Sequence, residues 1–266
     1  MHVARKRFGQ HFLQDKQIIH RIVDAIMPTP EQHLVEIGPG QGALTLPILK
    51  KVGRLDVIEL DRDLIPHLKA RCAEKGELIV HQADALKFNY AELVTDEKQL
   101  RLIGNLPYNI STPLIFHLLE FSTQIVDMHF MLQKEVVDRL AARTGADAYG
   151  RLSIMVQYHC RVSSLFNVGP DAFNPPPQVD SSIVRLIPHR ELPNRAQDFV
   201  HFASLVKAAF AHRRKTLRNC LKTMMTDEDW ETSHIDSQLR AEQVSLAEYV
   251  KLSNMLVSKN VNLCNR

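Results

Sequence analysis

The stretch from His33 to Lys51 limits what this chain can fold into more than any other. A short apolar run, His33 to Ile37, leads directly into Gly38-Pro39-Gly40-Gln41-Gly42, and a helical pattern follows from about Ala43 to Lys51. Strand, glycine turn and helix in that order point to an open α/β sheet, where ligands bind at the carboxyl ends of the strands. The glycines allow backbone N–H groups and a helix N-terminus to approach a polar ligand group closely. The next strand, Leu55 to Leu60, brings Glu59 about twenty residues after the turn, where a carboxylate accepts from ribose hydroxyls. A helix over Leu64 to Glu74 and a strand over Leu78 to His81 lead to Asp84, placed to accept from an adenine exocyclic amine. A nucleoside is therefore the expected ligand. Gly38, Gly40 and Ala43 also satisfy G-x-G-x-x-A, so the turn alone leaves a nicotinamide or flavin cofactor open.

The segment Arg101 to Ser111 narrows the choice. Leu102 and Ile103 read as the end of a buried strand, Gly104 as the place where the backbone turns, and Pro107 as a fixed φ without a donor. Asn105 and Tyr108 then project from a stiffened loop. An amide oxygen and the Leu106 carbonyl ahead of Pro107 can accept the hydrogens of an exocyclic amine while the Tyr108 ring covers the heterocycle. An ordinary strand-to-helix loop capped by Ser111 is the plainer reading. Glu36, Gly38, Gly40, Glu59, Asp84 and Asn105 to Tyr108 follow four successive strand ends, an order that resembles the S-adenosylmethionine-dependent methyltransferases, with the Asn-Leu-Pro-Tyr form resembling those acting on amino nitrogens.

Around this centre the chain reads in order. Arg5, Lys6 and Arg7 precede Phe8-Gly9-Gln10-His11-Phe12-Leu13, an arm expected to fold back over a ligand. Asp15 caps a predicted helix whose apolar face is Ile18, Ile19, Ile22, Val23 and Ile26, ended by Pro28. Beyond the central loop come a helix over Pro113 to Glu120, a strand over Val126 to Leu132, and helices over Glu135 to Ala142 and Leu152 to Tyr158. Two β segments, Val162 to Val168 and Ile183 to Leu186, enclose Phe173-Asn174-Pro175-Pro176-Pro177-Gln178-Val179-Asp180-Ser181. The prolines stiffen this connection. Phe173 is either a second aromatic jaw for a target base or a brace in the core.

Pro188 to Arg195 reads as a linker, and amphipathic helices take over beyond it. Lys207 to Lys222 holds six basic residues and no acidic ones. On a continuous helix Lys207, Arg214, Lys215, Arg218 and Lys222 share one arc, whereas Arg213 falls among the apolar positions, so a break is expected near His212. A merely solvated face usually mixes signs, so this segment is expected to meet nucleic acid. Distribution carries that argument, since the net charge is only +3. The four cysteines are far apart and the thirteen histidines show no ligand spacing, so free thiols and no metal are expected. No apolar run suits a signal peptide or a membrane span, and a cytoplasmic protein is expected.

The chain resembles the small-subunit (16S) ribosomal RNA adenine N6,N6-dimethyltransferases. The matching pieces are Gly9-Gln10-His11-Phe12-Leu13, Glu36-Ile37-Gly38-Pro39-Gly40, Glu59-Leu60-Asp61, Gly104 to Ser111, Phe173-x-Pro175-x-Pro177 and Arg213-Arg214-Lys215-Thr216-Leu217. They cover nearly the whole length in the family's order. Gln178 departs from the basic residue that many relatives carry after the prolines. The resemblance implies an α/β fold: a Rossmann-like S-adenosylmethionine-dependent methyltransferase domain over residues 1–190, and a small C-terminal all-helical RNA-binding domain over 191–266. It implies cofactor contacts at His11, Leu13, Gly38, Glu59, Asp84 and Asn105, joined by Gly40 from the glycine turn. Asn105, Leu106, Pro107, Tyr108 and Phe173 are the expected catalytic group, and Arg5, Lys6, Arg7, Arg213, Arg214, Lys215, Arg218 and Lys222 the expected RNA contacts. The implied reaction gives N6-dimethyladenosines at two adjacent sites near the 3′ end of the RNA of a pre-30S particle, with S-adenosylhomocysteine as product and the protein acting as a monomer. A non-catalytic RNA-binding assembly factor that keeps the fold is the alternative.

Overall fold

The computed structural model describes residues 11–94 and 99–264. Strand β1 (Phe12–Leu13) precedes α1 (Lys16–Ile26). Asp15 caps this helix, its carboxylate accepting from the N–H of Gln17 at 2.7 Å and of Ile18 at 3.0 Å. Ile22, Val23 and Ile26 bury its apolar face. It ends at Met27, left-handed at φ 49°, directly before Pro28.

Then follow β2 (His33–Ile37), α2 (Thr45–Val52), β3 (Arg54–Glu59), α3 (Ile65–Cys72), β4 (Glu77–Gln82), β5 (Leu100–Asn105), α4 (Ser111–Leu119), β6 (Ile125–Gln133), α5 (Lys134–Ala141), α6 (Arg151–His159), β7 (Cys160–Val168), β8 (Phe173–Asn174) and β9 (Ser181–Pro188). Seven strands form one sheet in the order β4-β3-β2-β5-β6-β9-β7, parallel from β4 to β6 with β9 antiparallel to β6. The inner parallel strands are buried along nearly their whole length, as a sheet covered on both faces demands. Helix α2 starts two residues later than the pattern predicts. Gly42, at φ 81°, prolongs the turn and donates its N–H to Pro39 O at 2.8 Å. Helix α4 starts two residues early, and Ser111 is not its cap: the Ser111 hydroxyl donates back to Tyr108 O at 3.1 Å.

The chain divides into two compact units, residues 1–137 with 161–188, and residues 138–160 with 189–266. The linker near 190 is thus one of several crossings, and α6 belongs with the C-terminal helices. A single cut at 190 misses this because α6 joins its partners through nonlocal packing: Tyr158 meets Phe202 of α7 (Phe199–Ala209) with ring centroids 5.0 Å apart. Elements α8 (Leu217–Cys220), α9 (Asp227–Ser233) and α10 (Leu246–Cys264) complete the second unit around Phe202, Leu217, Leu221, Trp230 and Tyr249. Among the described residues no helix is long and apolar enough to cross a membrane.

Candidate functional site

The strand order reverses direction between β2 and β5: the chain adds β3 and β4 on one side of β2, and β6 beyond β5 on the other. Such a switch point opens a crevice beyond the strand ends. Gly38 follows β2 there, at φ 67°, and its N–H donates to Ile58 O at 2.9 Å. Gly104 lies within β5 and does not turn the chain. Its glycine serves close strand approach instead, because a Cβ at this position would strike the Ile37 carbonyl.

A cavity of about 260 Å³ fills the crevice, lined by the ends of β2, β3, β4 and β5 and by β1. Glu59 sits at its wall, 6% exposed, accepting from the N–H of Gly40 at 3.2 Å and of Asp61 at 2.8 Å. Burial raises the Glu59 pKa above the ordinary carboxylate value against the pull of those bonds. Each oxygen keeps a lone pair for a hydroxyl donor. Asp84 lines the same cavity and accepts from Leu86 N–H at 3.0 Å through one oxygen. Glu36 lies under the glycine turn, and burial drives its pKa up to about 8. The Thr45 hydroxyl beside it pulls the other way, but the geometry falls short of a hydrogen bond: Thr45 Oγ1 and Glu36 Oε2 are both buried without a partner. Glu36 is thus a buried carboxyl group with one oxygen left without a hydrogen-bond partner.

Asn105, Leu106, Pro107 and Tyr108 build one corner of the cavity. Asn105 Nδ2 donates to His11 O at 3.1 Å. Only the NH₂ end can bond to a carbonyl, so this contact turns Oδ1 away and leaves it free to accept. Pro107 O takes Ile110 N–H at 3.2 Å, whereas among the described residues no backbone N–H reaches Leu106 O. The Tyr108 hydroxyl meets Ser181 Oγ at 2.7 Å, which fixes the ring, and burial raises its pKa. The His11 imidazole lies against that ring, centroids 5.8 Å apart at 26°, and Nδ1 is 2.9 Å from Pro175 O.

His11, Leu13, Gly38, Gly40, Glu59, Asp84, Asn105, Leu106, Pro107 and Tyr108 thus line one cavity. Phe173 does not. It is 4% exposed in the apolar core and pairs with Leu13 through β1 and β8, so it braces the strap over the site and is not the second jaw. The sequence named Glu36 as part of a motif but gave it no role. Its signal was available: an acid directly before the glycine turn, in an otherwise apolar strand.

Arg5, Lys6 and Arg7 lie outside the described residues. In the second unit α7 ends at Ala209 and turns occupy 210–216, so the break near His212 is present and no single helical arc carries the cations. Arg213, Arg214, Lys215, Arg218 and Lys222 are all exposed. Arg213 Nη2 donates to Asp147 O at 3.0 Å, and Arg218 pairs with Asp227 at 2.6 Å. Among the described residues Arg214, Lys215 and Lys222 have no ion-pair partner. No group of three or more potential ligands suited to a metal ion occurs among the described residues.

A sequence model described as ribosomal RNA adenine dimethylase matches residues 1–258. The chain is 60% identical over 255 residues to the ribosomal RNA small subunit methyltransferase A of Pseudomonas aeruginosa, covering 96% of this chain and 95% of that one. Its fold is similar to a dimethyladenosine transferase from Plasmodium falciparum, with TM-score 0.81 and 27% identity over 94% of this chain and 98% of that one. The 23S rRNA methyltransferase ErmE shares the fold at TM-score 0.74, with 21% identity over 92% of this chain and 99% of that one. Motifs, site and these likenesses agree, and the chain belongs to the ribosomal RNA adenine dimethylase family.

Proposed function

We propose that this protein transfers methyl groups from S-adenosylmethionine to the N6 amines of two adjacent adenosines near the 3′ end of small-subunit rRNA, within a pre-30S particle in the cytoplasm. In this reading a monomer acts, and S-adenosylhomocysteine is released. The first unit holds the cofactor. Glu59 accepts from its ribose hydroxyls, Asp84 from its adenine amine, and the Gly38 to Gly40 turn with His11 and Leu13 receives its amino-acid end. The bound cofactor supplies an electrophilic methyl on a sulfonium.

The observation that carries the reading is the orientation of Asn105, whose amide nitrogen is held by His11 O, which leaves Oδ1 as an acceptor, with Leu106 lining the same cavity. Two acceptors at one strand end suit the two hydrogens of an aromatic amine. Its lone pair is delocalised into the purine; accepting both hydrogens favours the pyramidal nitrogen that attacks in line. No strong general base is required, since the alkylated cation loses its proton readily. Tyr108 covers the face of the base, which must leave its stack to enter. Arg213, Arg214, Lys215 and Lys222 of the second unit serve as phosphate contacts.

The test is methylation of unmodified 30S precursor particles at saturating S-adenosylmethionine, with N6-dimethyladenosine mapped on the RNA. The expected product is dimethylation at two neighbouring adenosines. Asn105→Ala should cut the single-turnover rate by about 10²-fold or more with RNA affinity retained. A near-normal rate in that variant would refute the role of the amide.

A further inference from the structure

Asp84 stands on a short loop, Ala83 to Leu86, that lines the cavity beyond the end of β4. β4 is the terminal strand of the sheet, so ladder bonds support it from β3 alone. The main chain ties the start of the loop: Ala83 N–H donates to Glu59 O at 3.2 Å and Lys87 N–H to Asp84 O at 2.9 Å. It ties nothing to the carbonyls of Ala85 and Phe88, which no backbone N–H reaches among the described residues. Two side chains supply those donors. The Tyr90 hydroxyl donates to Ala85 O at 3.1 Å, and His117 Nε2 lies 2.9 Å from Phe88 O. Only an N–H can bond to a carbonyl, so Nε2 carries the hydrogen. Tyr90 is fully buried, and its ring meets those of Phe88, His117 and Phe121 edge-on, with centroids 5.3, 5.8 and 5.5 Å apart. Burial, and then the Asp84 charge, raises the pKa of its phenol, so the hydroxyl stays a donor at neutral pH. A phenylalanine would fill the same space; the hydroxyl serves Ala85 O, one residue after Asp84.

We propose that Tyr90 and His117 are positioning residues for adenine recognition, whose bonds to the Ala85 and Phe88 carbonyls hold the loop in the shape that aims the Asp84 carboxylate at an exocyclic amine. The inference rests on the reading of S-adenosylmethionine as methyl donor with Asp84 on its adenine. Neither residue lines the cavity, so both act through Asp84. Loosening the loop leaves Glu59 and the glycine turn in place, and the loss falls on adenine discrimination, not on binding as a whole.

Calorimetry on the full chain with two probes, S-adenosylhomocysteine and its 6-oxo analogue S-inosylhomocysteine, separates discrimination from binding. The analogue offers Asp84 an acceptor where the amine was, so the wild type should prefer the adenosyl compound by about tenfold or more. Tyr90→Phe should bind the adenosyl compound about three- to tenfold more weakly, as the loss of one hydrogen bond implies, with affinity for the inosyl compound within about twofold of the wild type. His117→Leu should behave alike, and His117→Gln, whose amide can donate from near the place of Nε2, should restore the preference. An unchanged preference in Tyr90→Phe and His117→Leu, or equal weakening of both compounds, would overturn the proposal and leave the two residues as core packing. Should His117→Leu not fold, Tyr90→Phe, which keeps the ring, decides. Asp84→Ala should abolish the preference. If it does not, the assignment of Asp84 fails and takes this inference with it, whereas a preference lost in Asp84→Ala and intact in Tyr90→Phe refutes the brace alone.

Discussion

Gly104 shows how one residue can satisfy a motif for a reason the motif does not state. Sequence reading assigns it a turn, but it lies in β5 opposite Ile37 of β2, where any side chain would collide with backbone. Gly104→Ala should therefore force the two central strands apart, at a cost of about 1 to 3 kcal/mol. Thermal unfolding measures this directly. Gly150→Ala is the comparison, because a Cβ there meets nothing within 4 Å and its φ of −162° suits any residue, so it should lose only the preference for Gly over Ala at the N-cap of α6. It should unfold close to the wild-type temperature, and equal losses in the two variants would refute the steric account. Tyr108 and Phe173 make the complementary point. Tyr108 directly follows Pro107 and Phe173 lies two residues before Pro175, so both sit on proline-stiffened loops, yet one ring lines the cavity and the other is core. Local sequence fixes the stiffness of each loop, but the side on which each ring lands depends on the β1 to β8 pairing, across more than 150 residues of chain.

Among the elements, β6 carries a cluster that no local pattern could announce. Asp127, 1% exposed, accepts from Arg101 Nε at 2.8 Å and from Arg185 Nη2 at 3.0 Å, side chains drawn from β5 and β9. These bonds outweigh burial and hold the Asp127 carboxyl below its ordinary pKa. His129, two residues on, sits 3.7 Å from the same carboxylate with both ring nitrogens unbonded, and burial depresses its pKa to about 4. It is a neutral imidazole at pH 7, not the cation of an ion pair. The unfolded chain takes up this proton near pH 6.5 and the folded one only near pH 4. Stability thus falls as pH drops through that window, by roughly 3 kcal/mol at its lower end. His129→Leu should match or exceed wild-type stability at pH 7, since it removes two unsatisfied buried nitrogens, and should lose much less between pH 6.5 and pH 4. Denaturant unfolding at the two pH values tests both statements. The strand ends that carry Glu59, Asp84 and Asn105 were legible because each lies at the last residue of its own strand or two residues beyond it. The Asp127 cluster was not, since its members meet only once the sheet has formed.

At the scale of the whole molecule, the sequence places the cations correctly on the surface but in the wrong geometry. A helical wheel needs one continuous helix from Lys207 to Lys222, and the chain instead turns through 210–216 before the short α8. The consequence is a ranking that the wheel cannot supply. Arg218 is already neutralised by Asp227 at 2.6 Å, while Arg214, Lys215 and Lys222 have no acidic partner among the described residues. Free cations displace counterions from a phosphate backbone; a cation held by a carboxylate does so only after giving up its partner. Replacing Arg214, Lys215 and Lys222 together by Gln should lower the slope of log affinity against log salt by about 2 to 3, at about 0.7 to 0.9 for each lost phosphate contact. Arg218→Gln alone should leave the slope nearly unchanged. Binding of a small-subunit rRNA fragment measured across a salt series decides the matter, with S-adenosylmethionine affinity expected to stay at the wild-type value in both variants. If Arg218→Gln flattened the salt dependence as much as the triple variant, the Asp227 pair would have to open on RNA binding, and the ranking drawn from the ion pairs would fall.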